Sequence, residues 1–467
     1  MKTLREAKVG STLTVGYTFT PTGGEGNSTY EWYVSDSAEG TYTLIQNEKN
    51  KSYLVAAANA GKYIKCKVTP VGSNGLTGAP VDSAAQLIST EIDSYNLYVA
   101  LDGDDANAGT LQAPFKTLEK ARDTIRTLKT GGMSNVAFTV NIKGGVYDFT
   151  STFALTDQDS GSSESCPVTY QAYNGEEVVF RGGKVLDSSK IAPVSDQSVL
   201  DRIIDSNAKK MVRQLDLKEQ GINSIEEIPR YGFGIVPPGG DYKPSDIYFN
   251  HSALIKARYP NKVSGSEFVK IGAVIAGGDR VSNTPFTIKY TDDRPALWDL
   301  SKAKDIYVSG FFGNDFADSV TRVASIDTKE KTLTSVDGPT YPALADHKYF
   351  YFNLIEEIDL PGESYLDRDT MMLYFYPADD VDTCIMEIAT FDKPFVTMTG
   401  ASNITLKGIN FDLSRDSAVN MTNSKNCVVD DAQISRLSYN AINIARLLIP
   451  ICLIWAAARL PFQAVTR

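Results

Sequence analysis

The chain has 467 residues, 42% hydrophobic and 22% charged, with 46 Lys and Arg against 57 Asp and Glu for a net charge of −11. That length and apolar content exclude a disordered chain and fit two or three domains around a large core. The acidity and the lack of any basic run exclude a nucleic-acid surface and disfavour strongly anionic polymers as partners.

Five cysteines, Cys66, Cys166, Cys384, Cys427 and Cys452, are far apart and show no C-x-x-C spacing. Zinc and redox chemistry are therefore not indicated. The two histidines, His251 and His347, come with no nucleophile-elbow motif. Chemistry in this chain falls to carboxylates.

The opening MKTLREAKVGSTLTVGY has no apolar stretch of the signal-peptide kind, so no secretory signal is expected here. Residues 9–88 read as a small β domain. Leu13, Val15, Tyr17 and Phe19 alternate with polar residues, as do Tyr30, Trp32 and Val34, and Ile64, Cys66 and Val68. Gly-rich turns between these strands predict a β-sandwich with Trp32 as core anchor and no inter-sheet disulfide.

After a linker over 89–96, a strand at Leu97–Ala100 runs into an Asp/Asn/Gly loop and then a helix. Leu118, Ala121, Ile125 and Leu128 recur at helical spacing on one face. In the loop, Asp102, Asp104, Asp105 and Asn107 offer oxygen ligands of the kind calcium takes. Their spacing is not that of an EF-hand, and a plain turn is the competing interpretation; no other cofactor is indicated. FTVNIKGGVYDF, STFALT, PVTYQAY and EVVFRGG then read as short strands. The pattern breaks between Gly183 and Phe395, which predicts an inserted β-rich domain.

The most specific internal signal lies at 395–444. Val396/Met398, Val419/Met421 and Ile442/Ile444 are apolar pairs 23 residues apart. Ile404/Leu406 recurs at Cys427/Val429, and Ile409/Phe411 at Ala432/Ile434, with the same period of 23. Three short strands per period predict a right-handed parallel β-helix in which each coil stacks on the last. The division expected is an Ig-like sandwich over 1–90, the first coils with a cap helix over 95–183, the insert over 184–390, and further coils over 391–444. Residues 445–467 break the pattern: they contain no Gly, Asn, Asp, Ser, Glu or Lys. Their apolar core, 447–458, is shorter than the roughly 20 residues a membrane helix needs and contains Pro450. A frame slip or truncation after Ile444 is the expectation for this tail, with an end cap as the alternative.

Tyr30 to Thr43, YEWYVSDSAEGTYT, resembles the Ig-like modules of bacterial surface enzymes. YVALDGDDANAGTLQAPFKTLEKARDTIR resembles the opening segment of bacterial right-handed β-helix carbohydrate enzymes, and CPVTYQAYNGEEVVFRGGK their next coils. DIYFNHSALIKARYPN and FNLIEEIDLPGESYLDRDTMMLYFYP resemble the inserted domain of glycoside hydrolase family 141, whose members include α-L-fucosidases and xylanases. Three positions depart from that pattern. Ser364 stands where Trp is usual, while Met371 and His251 stand where turn glycines are usual.

The resemblance implies an extracellular or cell-surface parent protein acting on a polysaccharide or glycan, with two carboxylates cleaving the glycosidic bond. It also implies that those carboxylates lie on coils later than Ile444, so no catalytic residue is assigned. The outward columns remain as substrate-face candidates: Thr397, Asn420 and Asn443, and beside them Lys393, Asp416 and Tyr439, each set 23 residues apart. A solvated face or a stabilising Asn ladder is the competing interpretation. The acidic run Glu356, Glu357, Asp359, Glu363, Asp367 and Asp369 reads as a turn bound by local hydrogen bonds. No obligate protein partner is evident. A non-catalytic glycan-binding or adhesion protein is the alternative function.

Overall fold

A computed structural model describes residues 7–9, 11–20, 24–89, 94–262, 265–445 and the pair 454–455. It is nearly all β, with Leu118–Thr130 the one long helix among the described residues.

At the N-terminus, Thr29–Ser35 and Tyr63–Thr69 pair antiparallel along their whole length. Ala7–Lys8, Thr43–Leu44, Val81–Asp82 and Gln86–Ser89 complete that sheet, and Thr12–Thr14 pairs separately with Ser52–Leu54. Alternation sends Trp32, Ile64, Cys66 and Val68 into one core. The Trp32 indole donates to the Asn50 carbonyl at 2.9 Å, and its ring lies 5.5 Å from Tyr53. The first strand is shorter than its alternation suggests: the ladder ends at Thr14, although burial alternates onward to Phe19.

The helix Leu118–Thr130 buries Leu118, Ala121 and Ile125, with Leu128 partly covered. Thr117 caps its N-terminus by accepting from the Lys120 N–H at 3.1 Å. This face closes one end of a core shared by three parallel sheets. The first holds Ser94–Val99, Ala137–Ile142, Val168–Ala172, Ile404–Lys407, Val428–Asp430 and Ile454–Trp455. The second holds Gly145–Asp148, Val178–Arg181, Ile409–Ser414 and Ile434–Leu437, and the third Phe153–Thr156, Val396–Thr399, Val419–Thr422 and Ile442–Ala445. From Ala137 on, the chain visits the three in that fixed order, once per winding.

The period of 23 is the ladder register. Val396 pairs with Val419 and Val419 with Ile442; Leu406 pairs with Val429, and Phe411 with Ile434. The backbone repeats too. Gly400 and Asn423, Asn403 and Asn426, Gly408 and Asp431, and Leu413 and Arg436 all have φ between 51° and 67°. The first three pairs are left-handed corners between strands, while Leu413 and Arg436 kink the strands Ile409–Ser414 and Ile434–Leu437 from within; each recurs 23 residues later. Asparagine serves such corners because its short side chain tolerates the conformation and bonds locally. Here the Asn426 amide also donates to the Asn403 side chain at 3.2 Å, one winding below.

Between Arg181 and Val396 the winding is interrupted, yet the ladder does not notice. Phe153 pairs with Val396, Val168 with Ile404 and Val178 with Ile409. The intervening residues fold into mainly antiparallel sheets of their own. One joins Gly183–Leu186 to Met386–Ala389, so the chain leaves and returns at a single place. The largest has eight strands, among them Tyr307–Phe311, Ser319–Asp327 and Lys348–Phe352.

The stacking continues past Ile444. Ile454 and Trp455 pair with Val429 and Asp430, a spacing of 25 in place of 23. Residues 446–453 and 456–467, where the sequence reading puts the break and the alternative cap, lie outside the described residues. No helix among the described residues is long and apolar enough to cross a membrane.

Candidate functional site

The strand Lys348–Phe352 has aromatic residues on both faces. Tyr349 and Tyr351 point into the core of the large sheet, and Phe350 and Phe352 point the other way. Period-two alternation of this kind leaves one aromatic face for something else. That face floors a cleft of about 1000 Å³. Tyr231, Tyr242, Phe268, Phe311, Phe350 and Phe352 line it from the insert, and Tyr439 and Asn440 from the coils. The rings brace one another: Tyr231 stacks on Tyr242 at 5.4 Å, and Phe268 meets Phe350 edge-on at 5.9 Å.

Six charged residues line the same cleft, the acids Asp241, Glu267 and Asp318 and the bases Lys256, Arg258 and Lys262. The Arg258 guanidinium lies 3.6 Å from the Phe350 ring centre and donates to the carbonyls of Pro260 and Glu267 at 2.9 and 2.6 Å. Burial pulls its pKa below the ordinary arginine value, against the opposing carboxylates Glu363 and Glu267. A smaller cavity of about 60 Å³ lies behind, sharing Ile228, Tyr242, Pro244 and Lys256 with the cleft. Ser364 lines it.

The two outward columns of the coils have different fates. Asn443 donates to Asn420 at 3.0 Å and to Ser417 at 2.9 Å, a rung of an Asn ladder along the stack. Thr397 is half-buried beside Asn420 in the same register. In the other column Lys393 is exposed, whereas Asp416 is buried and Tyr439 half-buried. Asp416 pairs with Lys243 at 2.5 Å, and the Tyr439 hydroxyl donates to Asp241. Asp416 and Tyr439 thus hold the insert segment 241–243 against the coils, and of the six candidates Tyr439 alone reaches the cleft.

The loop ahead of the helix is a turn. Both Asp105 oxygens are spent on helix entry, accepting the Lys116 and Thr117 N–H groups at 2.9 and 3.0 Å and the Thr117 hydroxyl at 2.8 Å. Asp104 accepts the Ala106 N–H, and the Asn107 amide donates to the Pro114 carbonyl. Asp102 is exposed. Among the described residues no group of three or more His, Cys, Asp or Glu side chains could hold a metal ion.

The acidic run is a correction in part. Asp367 and Glu363 do bind local N–H groups, Asp369 and Thr370 for the one and Asp359 and Leu360 for the other. Glu356 and Glu357 instead are buried and held by distant arginines. Arg202 meets Glu356 at 2.9 Å, and Arg294 grips both oxygens of Glu357 at 2.8 Å. Burial raises the Glu357 carboxyl, opposed by Arg294 and Trp298. Turn composition hid these pairs, because the arginines are 63 and 154 residues away.

The cleft itself escaped the sequence reading. The signal that could have found it is KYFYF, a strand with aromatic residues on both faces.

Residues 1–86 match the family model described as the AIR9 A9 domain, an Ig-type domain. Pectate lyase PEL9 of Emericella nidulans is 31% identical over 87 residues, 19% of this chain and 18% of that protein. A solved structure titled glycoside hydrolase shares the fold, with a TM-score of 0.54 and 14% identity over 73% of this chain. The chain spans 61% of that structure's length.

Proposed function

We propose that this protein is carbohydrate-active and binds a glycan in the cleft between the inserted eight-stranded sheet and the coils. The observation that carries the proposal is the lining: ring faces that can stack on sugars, interleaved with charged groups that can bond hydroxyls. The glycoside hydrolase sharing the fold and the pectate lyase similar over 87 residues support the same class. In this reading the three parallel sheets are the coils of a right-handed parallel β-helix, over 95–183 and 391–444. Residues 184–390 are its insert, and 1–90 an Ig-like spacer. The parent protein works outside the cell or at its surface, as a polysaccharide-degrading glycoside hydrolase of the kind family 141 represents.

One observation favours a second reading. The coil columns supply a single carboxylate, Asp416, and Lys243 neutralises it. Glycan binding without cleavage is therefore the alternative for this chain.

Calorimetric titration with cellobiose, xylobiose and mannobiose tests the site. At least one should bind, and Tyr439→Ala should weaken it by about tenfold, the loss of one stacking face. Binding of none of the three, or a Tyr439→Ala protein with unchanged affinity, would remove the cleft as the site. Release of new reducing ends from the matching polysaccharide separates hydrolase from binder.

A further inference from the structure

Three aromatic rings at the cleft mouth are exposed where a monomer has no use for them. Phe233 is 50% exposed, Phe316 61% and Tyr341 37%. They form a continuous run, Phe233 meeting Phe316 edge-on at 5.4 Å and Phe316 meeting Tyr341 at 6.0 Å. Phe233 and Phe316 belong to the cleft lining, while Tyr341 lies beyond it. The run therefore continues the cleft floor outward onto the surface.

The platform is rigid. Gly232 pairs with Ser319 across the sheet edge, and the Phe233 N–H donates to the Asp318 carboxylate at 3.0 Å. Gly232 has φ +145°, and a Cβ there would sit 2.4 Å from the Asp318 carbonyl oxygen. The backbone on either side of the ring is thus fixed before any partner arrives, which lowers the cost of binding.

Charge narrows the partner. The cleft balances three acids, Asp241, Glu267 and Asp318, against three bases, and beside the outer rings stand Asp318, the exposed Asp315 and one cation, Arg280 at Gly234. A polyuronate would bring one negative charge per sugar to a lining with no cationic excess, in a chain of net charge −11. A lipid or protein face would be met as well by aliphatic side chains; flat rings in a row suit successive sugar rings. We infer that Phe233, Phe316 and Tyr341 form an outer stacking subsite by which the cleft holds an uncharged polysaccharide as an extended chain. The inference rests on the cleft being a glycan site.

The test is chain length. Wild-type protein is titrated with cellohexaose, xylohexaose and mannohexaose, with the corresponding disaccharides, and with hexagalacturonate. One neutral hexasaccharide should bind at least about tenfold tighter than its disaccharide, a gain of one or two stacked rings. Tyr341→Ala should remove most of that gain while disaccharide affinity stays as in wild type, and Phe316→Ala should lower hexasaccharide affinity further. Thermal melts of both variants should match wild type, because the rings are surface residues. Equal affinity for long and short ligands, a gain that survives Tyr341→Ala, or hexagalacturonate binding best would each overturn the subsite while leaving the cleft in place. If no neutral sugar of either length binds, both proposals fail together. Light scattering supplies the remaining check: a dimer that Phe316→Ala turns into monomer would mean that the run faces a second copy of the chain.

Discussion

Met371 and His251 show how much a single position can decide. Both have φ of +63°, the left-handed conformation that favours glycine. A left-handed non-glycine residue costs roughly 1–2 kcal/mol. Met371 offsets that cost by burial, being 1% exposed among Leu215, Leu217, Leu373 and Phe375. Removing its side chain forfeits roughly 2–5 kcal/mol, so Met371→Gly should lower stability by about 2 kcal/mol despite freeing the backbone. His251 is exposed, and its Nδ1 lies 2.8 Å from Glu387. His251→Gly exchanges that contact for backbone relief and should stay within about 1 kcal/mol of wild type. Denaturant melts of the two variants check the pair; an equal loss in both would mean that burial is not what decides.

Glu363 gives a second residue-scale outcome. Burial raises its carboxyl to about 8, against the N–H groups of Asp359 and Leu360, which favour the charged form. A raised acid holds its proton longer in the folded state than in the unfolded one. Its contribution is full below the ordinary carboxyl value and is lost as pH rises toward 8. Glu363→Gln keeps an acceptor for both N–H groups and does not ionise. The variant should match wild type near pH 4 and exceed it near pH 8, as read by thermal melts at the two pH values. Identical pH slopes would show that Glu363 ionises at its ordinary value.

At the scale of elements, the coils were legible because they speak twice. Apolar pairs mark the strands, and Gly400, Asn403, Gly408, Asn423, Asn426 and Asp431 mark left-handed corners with residues suited to them. The kink inside the second-sheet strands was silent. Leu413 and Arg436 carry no turn signature, yet both are left-handed. The structure shows why such residues stand there: the kink turns Leu413 onto Tyr248 and Ala389 of the insert and Arg436 onto Glu387. The register across the interruption was illegible as well, because nothing in Phe153 or Val396 states that they pair from 243 positions apart. Asp431 isolates the backbone term, since its side chain is exposed. Asp431→Gly should be at least as stable as wild type, and Asp431→Ala about 1 kcal/mol less stable than the Gly variant. Equal stabilities would mean that this corner relaxes without cost.

At the scale of the whole molecule, the cleft has one wall on the insert and one on the coils, so its width depends on how the two are held. Arg436 is the centre of that hold. It reaches up to Glu387 of the insert and down to Asp412 of the preceding winding, with Nη2–Oε1 at 3.2 Å and Nε–Oδ1 at 2.9 Å. Further along, Arg415 pairs with Glu226 at 2.5 Å, and Ser438 donates to Asp246 at 2.7 Å. Sequence reading could not see this seam, because its partners are up to 198 residues apart. Glu387 and Asp412 side chains are only 5% and 19% exposed. Removing the cation that both share leaves Glu387 with the exposed His251 and Asp412 with the Ser435 hydroxyl, and breaking a buried charge pair in this way costs roughly 3–5 kcal/mol. Arg436→Met should therefore lower the melting temperature by several degrees and weaken glycan binding together, since the coil wall carrying Tyr439 shifts with it. Adding Glu387→Leu and Asp412→Asn should restore most of the stability, because the loss comes from unpaired charge and not from missing contact area. If Arg436→Met melts like wild type, Arg436 is not the clamp. If the triple variant stays as unstable as the single one, packing and not charge joins the insert to the coils.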